Sequence, residues 1–284
     1  MDHLLIDTCV WLELVGDPRL APLIDALERL VARRTVGLVV PDVIVEELNR
    51  NAPSIEERTQ RSHENRLRDV FDMGRLLNSD EDRRRLEEVL SLVRLSLPAH
   101  QGRLNARLRR VQTMLAGPSA VRITSSDAMM AAAFKRGLAK QAPFRGKNSC
   151  GDALIVEHFA ARRAALGPHD RCALITFNKQ DFSAPDDERL PHPHLAPLFD
   201  HRTAHYSINL AEYLNQYDTA AASAIVLEAA REAADRSSMI CPAGSTHDFD
   251  PDRGAHLRSQ YGGLTWHLFC RKCGGKYDTG ASDD

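Results

Sequence analysis

The amino-acid sequence predicts an α/β protein, a sheet with helices on its faces, and three observations carry that expectation. Short apolar runs of four or five residues alternate with amphipathic stretches along most of the first 235 residues, the order in which strands and their covering helices follow one another. Hydrophobic residues make up 43% and charged residues 27% of a chain of 284, enough to bury a sizeable core beneath a polar surface. Acids or amides recur just past the apolar runs, where an open α/β sheet collects its ligands.

Each element has a local reason. Residues 4–7 (LLID) form the first strand. Asp17-Pro18 supplies an N-cap and a first-turn proline for a helix reaching about residue 34. Residues 36–40 are the second strand, ended by Pro41, and "DVIVEELNR" then opens a helix with Asp42 in its first turn. From about 53 to 117 the chain is charged and helix-prone, with Leu86, Leu90, Leu104 and Leu108 at turn spacing. That segment reads as a helical insertion, too apolar for disorder. "AVRIT" (120–124) is a strand, and Ser125 or Ser126 caps the alanine-rich helix after it. Asp152 opens "DALIVEHFAARRAAL", which Gly167-Pro168 terminates; "CALIT" (172–176) is a strand and "TFNKQDFS" a loop. A last strand at 206–209 precedes a long helix through about residue 235. Past Arg236 the pattern changes to glycines, histidines, aromatics and paired cysteines, which divides the chain into domains 1–236 and 237–284.

Several classes of function fall away. No apolar run approaches the roughly 20 residues of a membrane span. Asp2 and His3 stand where a secretory leader has a basic region, so a cytoplasmic protein is expected. "DTCVW" follows the first strand where a dinucleotide-binding protein carries G-x-G-x-x-G, and no nucleophile elbow is present. The net charge of −2 hides a segregation of sign: residues 89–151 hold eleven Lys or Arg and one acid, Asp127. A block of that kind suits either a solvated helical face or a surface that attracts a polyanion. Arg103, Arg107, Arg110, Arg145 and Lys147 are the candidate substrate-binding residues within it.

Asp7, Glu46 with Glu47, Asp152, and Asn178 with Asp181 lie where the strand pattern puts the carboxyl edge of the sheet. Taken singly, each has a plainer role: Asp7, Asp152 and Asp181 as caps or turn residues, Glu46 and Glu47 as solvated helix positions. Taken together they are carboxylates that repel one another unless a divalent cation neutralises them.

"LLIDTCVW", "VVPDVIVEEL", "GDALIVEHF" and "LITFNKQDF" resemble, in order, the four signature segments of PIN-domain nucleases. The resemblance covers most of residues 1 to about 210 and implies a PIN-like central parallel sheet flanked by helices, interrupted by the helical insertion. It also implies an endoribonuclease in which Asp7, Glu47, Asp152 and the Asn178/Asp181 pair hold one or two Mg²⁺ or Mn²⁺ ions, with Thr8 and Thr176 as accompanying hydroxyls. Asp7 and Asp152 would be the principal metal ligands, with Glu47 as a third ligand or as the orienter of a water. Many members carry Asp where this chain has Asn178, and the insertion is longer than in compact PIN toxins. Asn178 keeps open a catalytically weak or inactive nucleic-acid-binding module, and related folds keep open a DNA or flap nuclease. RNA is the expected partner, with a protein partner such as an antitoxin-like inhibitor, or a homodimer, as family tendencies.

Near the C-terminus, Cys241 and His247 are followed by the "CRKC" pair Cys270 and Cys273. Two separated pairs of N/S ligands fit tetrahedral structural Zn²⁺ and resemble a zinc ribbon, with His256 and His267 competing with His247 for the fourth place. So short a segment has little core of its own, and zinc would supply most of its stability. Cys9, Cys150 and Cys172 read as small buried residues.

Overall fold

A computed structural model describes residues 1–144, 149–200, 202–220, 241, 243, 247–258 and 264–282. The elements in chain order are β1 (Asp2–Ile6), α1 (Thr8–Gly16), α2 (Ala21–Ala32), β2 (Val36–Pro41), α3 (Asp42–Met73), α4 (Asp80–Ala116), β3 (Ala120–Ile123), α5 (Asp127–Leu138), α6 (Cys150–Ala164), β4 (Arg171–Ile175), α7 (Lys179–Phe182), β5 (Ala204–Ser207), α8 (Leu210–Asn215), and the strands β6 (Phe249–Arg258), β7 (Leu264–Cys270) and β8 (Lys276–Ser282). The first five strands make one all-parallel sheet in the order β3-β2-β1-β4-β5.

β1 lies at its centre, and every residue from Asp2 to Ile6 is buried. Helices on both faces explain why the strand reads as a continuous apolar run instead of an alternating one. The strand is locked to the helix after it, because the buried Trp11 Nε1 donates to the Ile6 carbonyl at 3.0 Å. All five strands run the same way, so their carboxyl ends, with Asp7 and Thr176 just beyond two of them, share one edge.

Four expectations are corrected. A helix that was not expected, α1, starts at Thr8, where Val10, Trp11, Leu14 and Val15 are buried at turn spacing; Asp17 caps as expected, through the Arg19 N–H at 2.9 Å, although it opens a 3-10 turn that leads into α2. α3 runs through Pro53. Proline removes one ladder bond there, and side chains add bonds around the break, from Asn51 Nδ2 to the Glu47 carbonyl (2.9 Å) and from Ser54 Oγ to the Asn51 carbonyl (2.8 Å). The "TFNKQDFS" segment contains the single-turn helix α7. The helix after β5 stops at Asn215 and gives way to a turn, with helical residues again at 219–220; its continuation to 235 lies outside the described residues.

The chain divides into two compact units, Met1–Ile24 with Glu28–Leu210, and Asp25–Leu27 with Ala211–Asp284. The boundary expected at Arg236 lies outside the described residues. In the second unit β6, β7 and β8 form an antiparallel sheet in that order. No helix among the described residues is long and apolar enough to cross a membrane.

Candidate active site and metal centre

Asp7 is buried, and although it holds the N-cap position of α1 its side chain makes no capping hydrogen bond there. The plain role of a cap is therefore not what the carboxylate serves. Thr176 Oγ1 donates to Asp7 Oδ2 at 2.6 Å and Cys9 Sγ donates to the same oxygen at 3.1 Å. Thr176 is in turn fixed by the Asn178 N–H (3.0 Å), and Cys9 Sγ by the Phe177 N–H (3.3 Å). Burial raises the Asp7 carboxyl above its ordinary range against those hydrogen bonds, and the charge on Glu47 raises it further. Thr8 Oγ1, on the adjacent residue, is buried without a partner among the described residues.

Asp152 lies inside the first turn of α6, whose N-cap is Ser149. Burial pushes its carboxyl up to about 7, and Asp7, Glu47 and Asp181 raise it through their charge, against a hydrogen bond from Ser149. Four acids from the β1–α1 junction, α3, α6 and α7 thus act on one another. Gly151, at the start of α6, lies beside Glu47: a Cβ there would sit 3.8 Å from Glu47 Oε2, an ordinary contact distance. Glu46 is exposed whereas Glu47 is half-buried.

Asn178 Nδ2 donates to Asp181 Oδ2 at 3.0 Å and to Asp152 Oδ2 at 3.4 Å. An aspartate at this position would add a fifth negative charge, whereas the amide supplies donors to two carboxylates. An oxygen-only donor set whose acids raise one another's affinity for protons fits a hard divalent cation.

A second network stands between α3, α6 and the loop after β3. Asp42 accepts from Ser125 Oγ (2.7 Å) and Ser125 N–H (2.8 Å), and Ser125 Oγ is 2.9 Å from Nε2 of the fully buried His158. Burial lowers the His158 pKa against the pull of Asp42. These contacts tie together the two helices that carry Glu47 and Asp152. Sequence reasoning missed Cys9 and this trio; the one available signal was a histidine inside the apolar run "DALIVEHF".

The basic candidates divide. Arg103 is exposed. Arg107 is corrected: it is 6% exposed, and its Nε donates to the Val15 carbonyl at 2.8 Å, so it braces α4 on the end of α1 and does not face a polyanion. Arg110 is paired with Glu28 (2.6 Å), and Arg136 of the same basic block with Glu157 (2.5 Å). Arg145 and Lys147 lie outside the described residues.

In the C-terminal sheet, one ligand atom from each of Cys241, His247, Cys270 and Cys273 lies within 4.8 Å of the others. The Cys241 and Cys270 sulfurs are 3.9 Å apart, close to the ~3.8 Å between thiolates that share one tetrahedral zinc. Backbone donors surround the sulfurs, from Asp248 N–H to Cys270 Sγ and from Gly275 N–H to Cys273 Sγ, both at 3.4 Å. The turn closes through the Gly274 N–H on the Cys270 carbonyl, and Gly274 adopts φ +70°, a conformation that favours glycine. Burial opposes ionisation of Cys270, but backbone donors from Asp248 and Cys273 outweigh it and bring the thiol down to about 6. His267 is buried on β7 outside this cluster, and the His256 side chain lies outside the described residues. Cys172 is buried as expected, whereas Cys150 is exposed at the start of α6.

A family model described as "PIN domain" matches residues 4–182, a span that contains Asp7, Glu47, Asp152, Asn178 and Asp181 and excludes the cysteine cluster. No curated protein and no solved structure matches the chain.

Proposed function

The chain belongs to the PIN-domain family, and from that premise we propose that it is a metal-dependent endoribonuclease, hydrolysing RNA phosphodiester bonds at the edge of the sheet marked by Asp7. PIN domains are generally nucleases, which supports a nuclease-type activity. The observation that carries the reading is the convergence of Asp7, Glu47, Asp152 and Asp181, from four separate elements, on one site where Asn178 bonds two of them and their charges raise the Asp152 carboxyl.

Asp7, Glu47, Asp152 and Asp181 would hold Mg²⁺ or Mn²⁺, which when bound acidifies an attacking water and offsets charge on the attacking and leaving oxygens. Thr176 and Cys9 hold Asp7 Oδ2 and so fix the direction of its other oxygen. Asn178 holds Asp152 and Asp181 in one orientation. Arg103, Arg145 and Lys147 remain as contacts to the phosphate backbone, a source of affinity more than of sequence preference. Cys241, His247, Cys270 and Cys273 would hold a structural Zn²⁺ in a C-terminal ribbon, with the domain boundary at about Arg236.

Incubation of purified protein with labelled RNA and DNA, in Mg²⁺ and in Mn²⁺, tests the reading beside Asp7→Asn and Asp152→Asn. RNA cleavage that drops about a thousand-fold in both variants is expected. Cleavage of neither polymer, or equal cleavage by the variants, overturns it, and cleavage of DNA alone moves the reading to a DNA nuclease. Asn178 supports a second reading, a nucleic-acid-binding module of weak activity; RNA retention without cleavage would favour it.

A further inference from the structure

Glu47 and Asp152 come from α3 and α6, so the distance between these acids depends on how one helix sits on the other. Near the start of α6, Gly151 lies against α3, where a Cβ would be 3.7 Å from Val43 Cγ2 and 3.8 Å from Glu47 Oε2. Six residues beyond Asp152, about 9 Å along the helix axis, the fully buried His158 reaches α3 a second time, through Ser125 to Asp42. Asp42 is in the first turn of α3, five residues before Glu47.

The direction of these hydrogen bonds follows from the donors present. Asp42, as a carboxylate, only accepts, so the Ser125 hydroxyl gives its one proton to Oδ1 at 2.7 Å and accepts from His158 Nε2 at 2.9 Å. His158 Nδ1 is buried without a partner among the described residues. A proton there would be a buried donor with no acceptor, so the imidazole is neutral and carries its proton on Nε2. Serine, histidine and aspartate in contact invite comparison with a nucleophile triad, but a triad places the imidazole between hydroxyl and carboxylate. Here the serine stands between, Asp42 comes no nearer than 3.5 Å to the same Nε2, and a nitrogen that donates to Ser125 cannot take its proton. The trio is a brace.

We propose that His158 is a positioning residue for the carboxylate site: through Ser125 and Asp42 it fixes α6 on α3, and so the spacing of Asp152 from Glu47 that a divalent cation meets. The inference rests on reading those acids as a metal site, whichever polymer is cut.

Mn²⁺ binding to the full chain, read from the electron paramagnetic resonance signal of the free ion, tests it without a cleavage assay. Loss of a side chain that orients metal ligands costs about 10–100-fold in affinity, and His158→Leu and Ser125→Ala should each lose about tenfold, since they act through helix placement. His158→Gln, whose amide nitrogen can still donate to Ser125, should recover most of that affinity. Arg107→Ala controls for lost stability, because it removes a buried brace elsewhere in the fold, and it should bind Mn²⁺ as wild type does. Wild-type affinity in His158→Leu or Ser125→Ala overturns the proposal, as does a glutamine variant no better than the leucine one, or an equal loss in Arg107→Ala. Where circular dichroism shows His158→Leu unfolded, Ser125→Ala alone decides by the same criterion. A wild type that binds no Mn²⁺, or binds it no better than Asp152→Asn, overturns the metal-site reading itself and this inference with it.

Discussion

Two regions of this chain gather ligand-type side chains from separate segments, and they do so on opposite physical terms. Around Asp7 the scaffold is a parallel sheet whose central strand is buried throughout, so the carboxylates are a cost that the core carries. In the C-terminal sheet the core found among the described residues is Cys241, Phe249, Leu268 and Cys270, with Cys273 and Tyr277 packed on it. Half of that core is the cysteine set itself. The same arrangement of converging ligands therefore means a site built on a fold in one unit, and a fold built on a site in the other.

Metal removal should separate the two most strongly. Binding of structural zinc to small ribbons is worth about 10–16 kcal/mol, and that energy is folding energy. Cys270→Ser/Cys273→Ser should lose one equivalent of zinc by metal analysis and open the region after residue 240 to limited proteolysis, while residues 1–200 stay protected. A zinc-free variant whose C-terminus still resists protease would break the contrast.

The carboxylate site should respond the other way, through pH. With Mg²⁺ and Mn²⁺ omitted, Asp152 keeps its proton to about pH 7 in the folded chain, against 3.8 when unfolded. Between those values the folded state binds more protons, so this group's contribution makes the protein less stable as pH rises from about 4 to about 7, and the loss is complete above 7. The difference corresponds to about 4 kcal/mol at most. Urea midpoints at pH 4.5, 6 and 7.5 should fall for wild type and fall much less for Asp152→Asn. Parallel curves for the two proteins would mean that burial and repulsion at Asp152 are not what the geometry implies.

The same contrast explains what was legible in the sequence. Strands buried on both faces print as unbroken apolar runs, so β1, β2 and β4 could be read directly, and the two cysteine pairs carry their spacing in the letters. α1 was hidden because only Asp7 stands between it and β1, with no turn-forming linker to mark a new element. Nothing in a sequence pairs Cys9 with the Phe177 N–H, or Ser125 with His158, since such partners meet only when the fold brings distant segments to one edge. Arg107 was misread for a different reason. Counting charge along residues 89–151 ignores which face of α4 each residue occupies, although Arg107 lies at turn spacing between Leu104 and Val111, both fully buried.

That face makes Arg107 and Arg103 a direct comparison within one helix. Arg107→Ala removes the hydrogen bond to the Val15 carbonyl and leaves that acceptor without its donor, at a cost of about 1–3 kcal/mol in stability. Arg103, exposed one turn earlier, should change the unfolding free energy by less than about 0.5 kcal/mol when replaced by alanine. Its effect should appear in RNA binding instead, as a decrease of about one in the slope of log affinity against log salt. Chemical denaturation and binding titrations over a salt series measure the two quantities independently. An Arg107→Ala protein of wild-type stability but reduced salt slope would reverse the assignment: the guanidinium would then serve the polyanion, and the bond to Val15 would contribute little to the packing of α4 on α1.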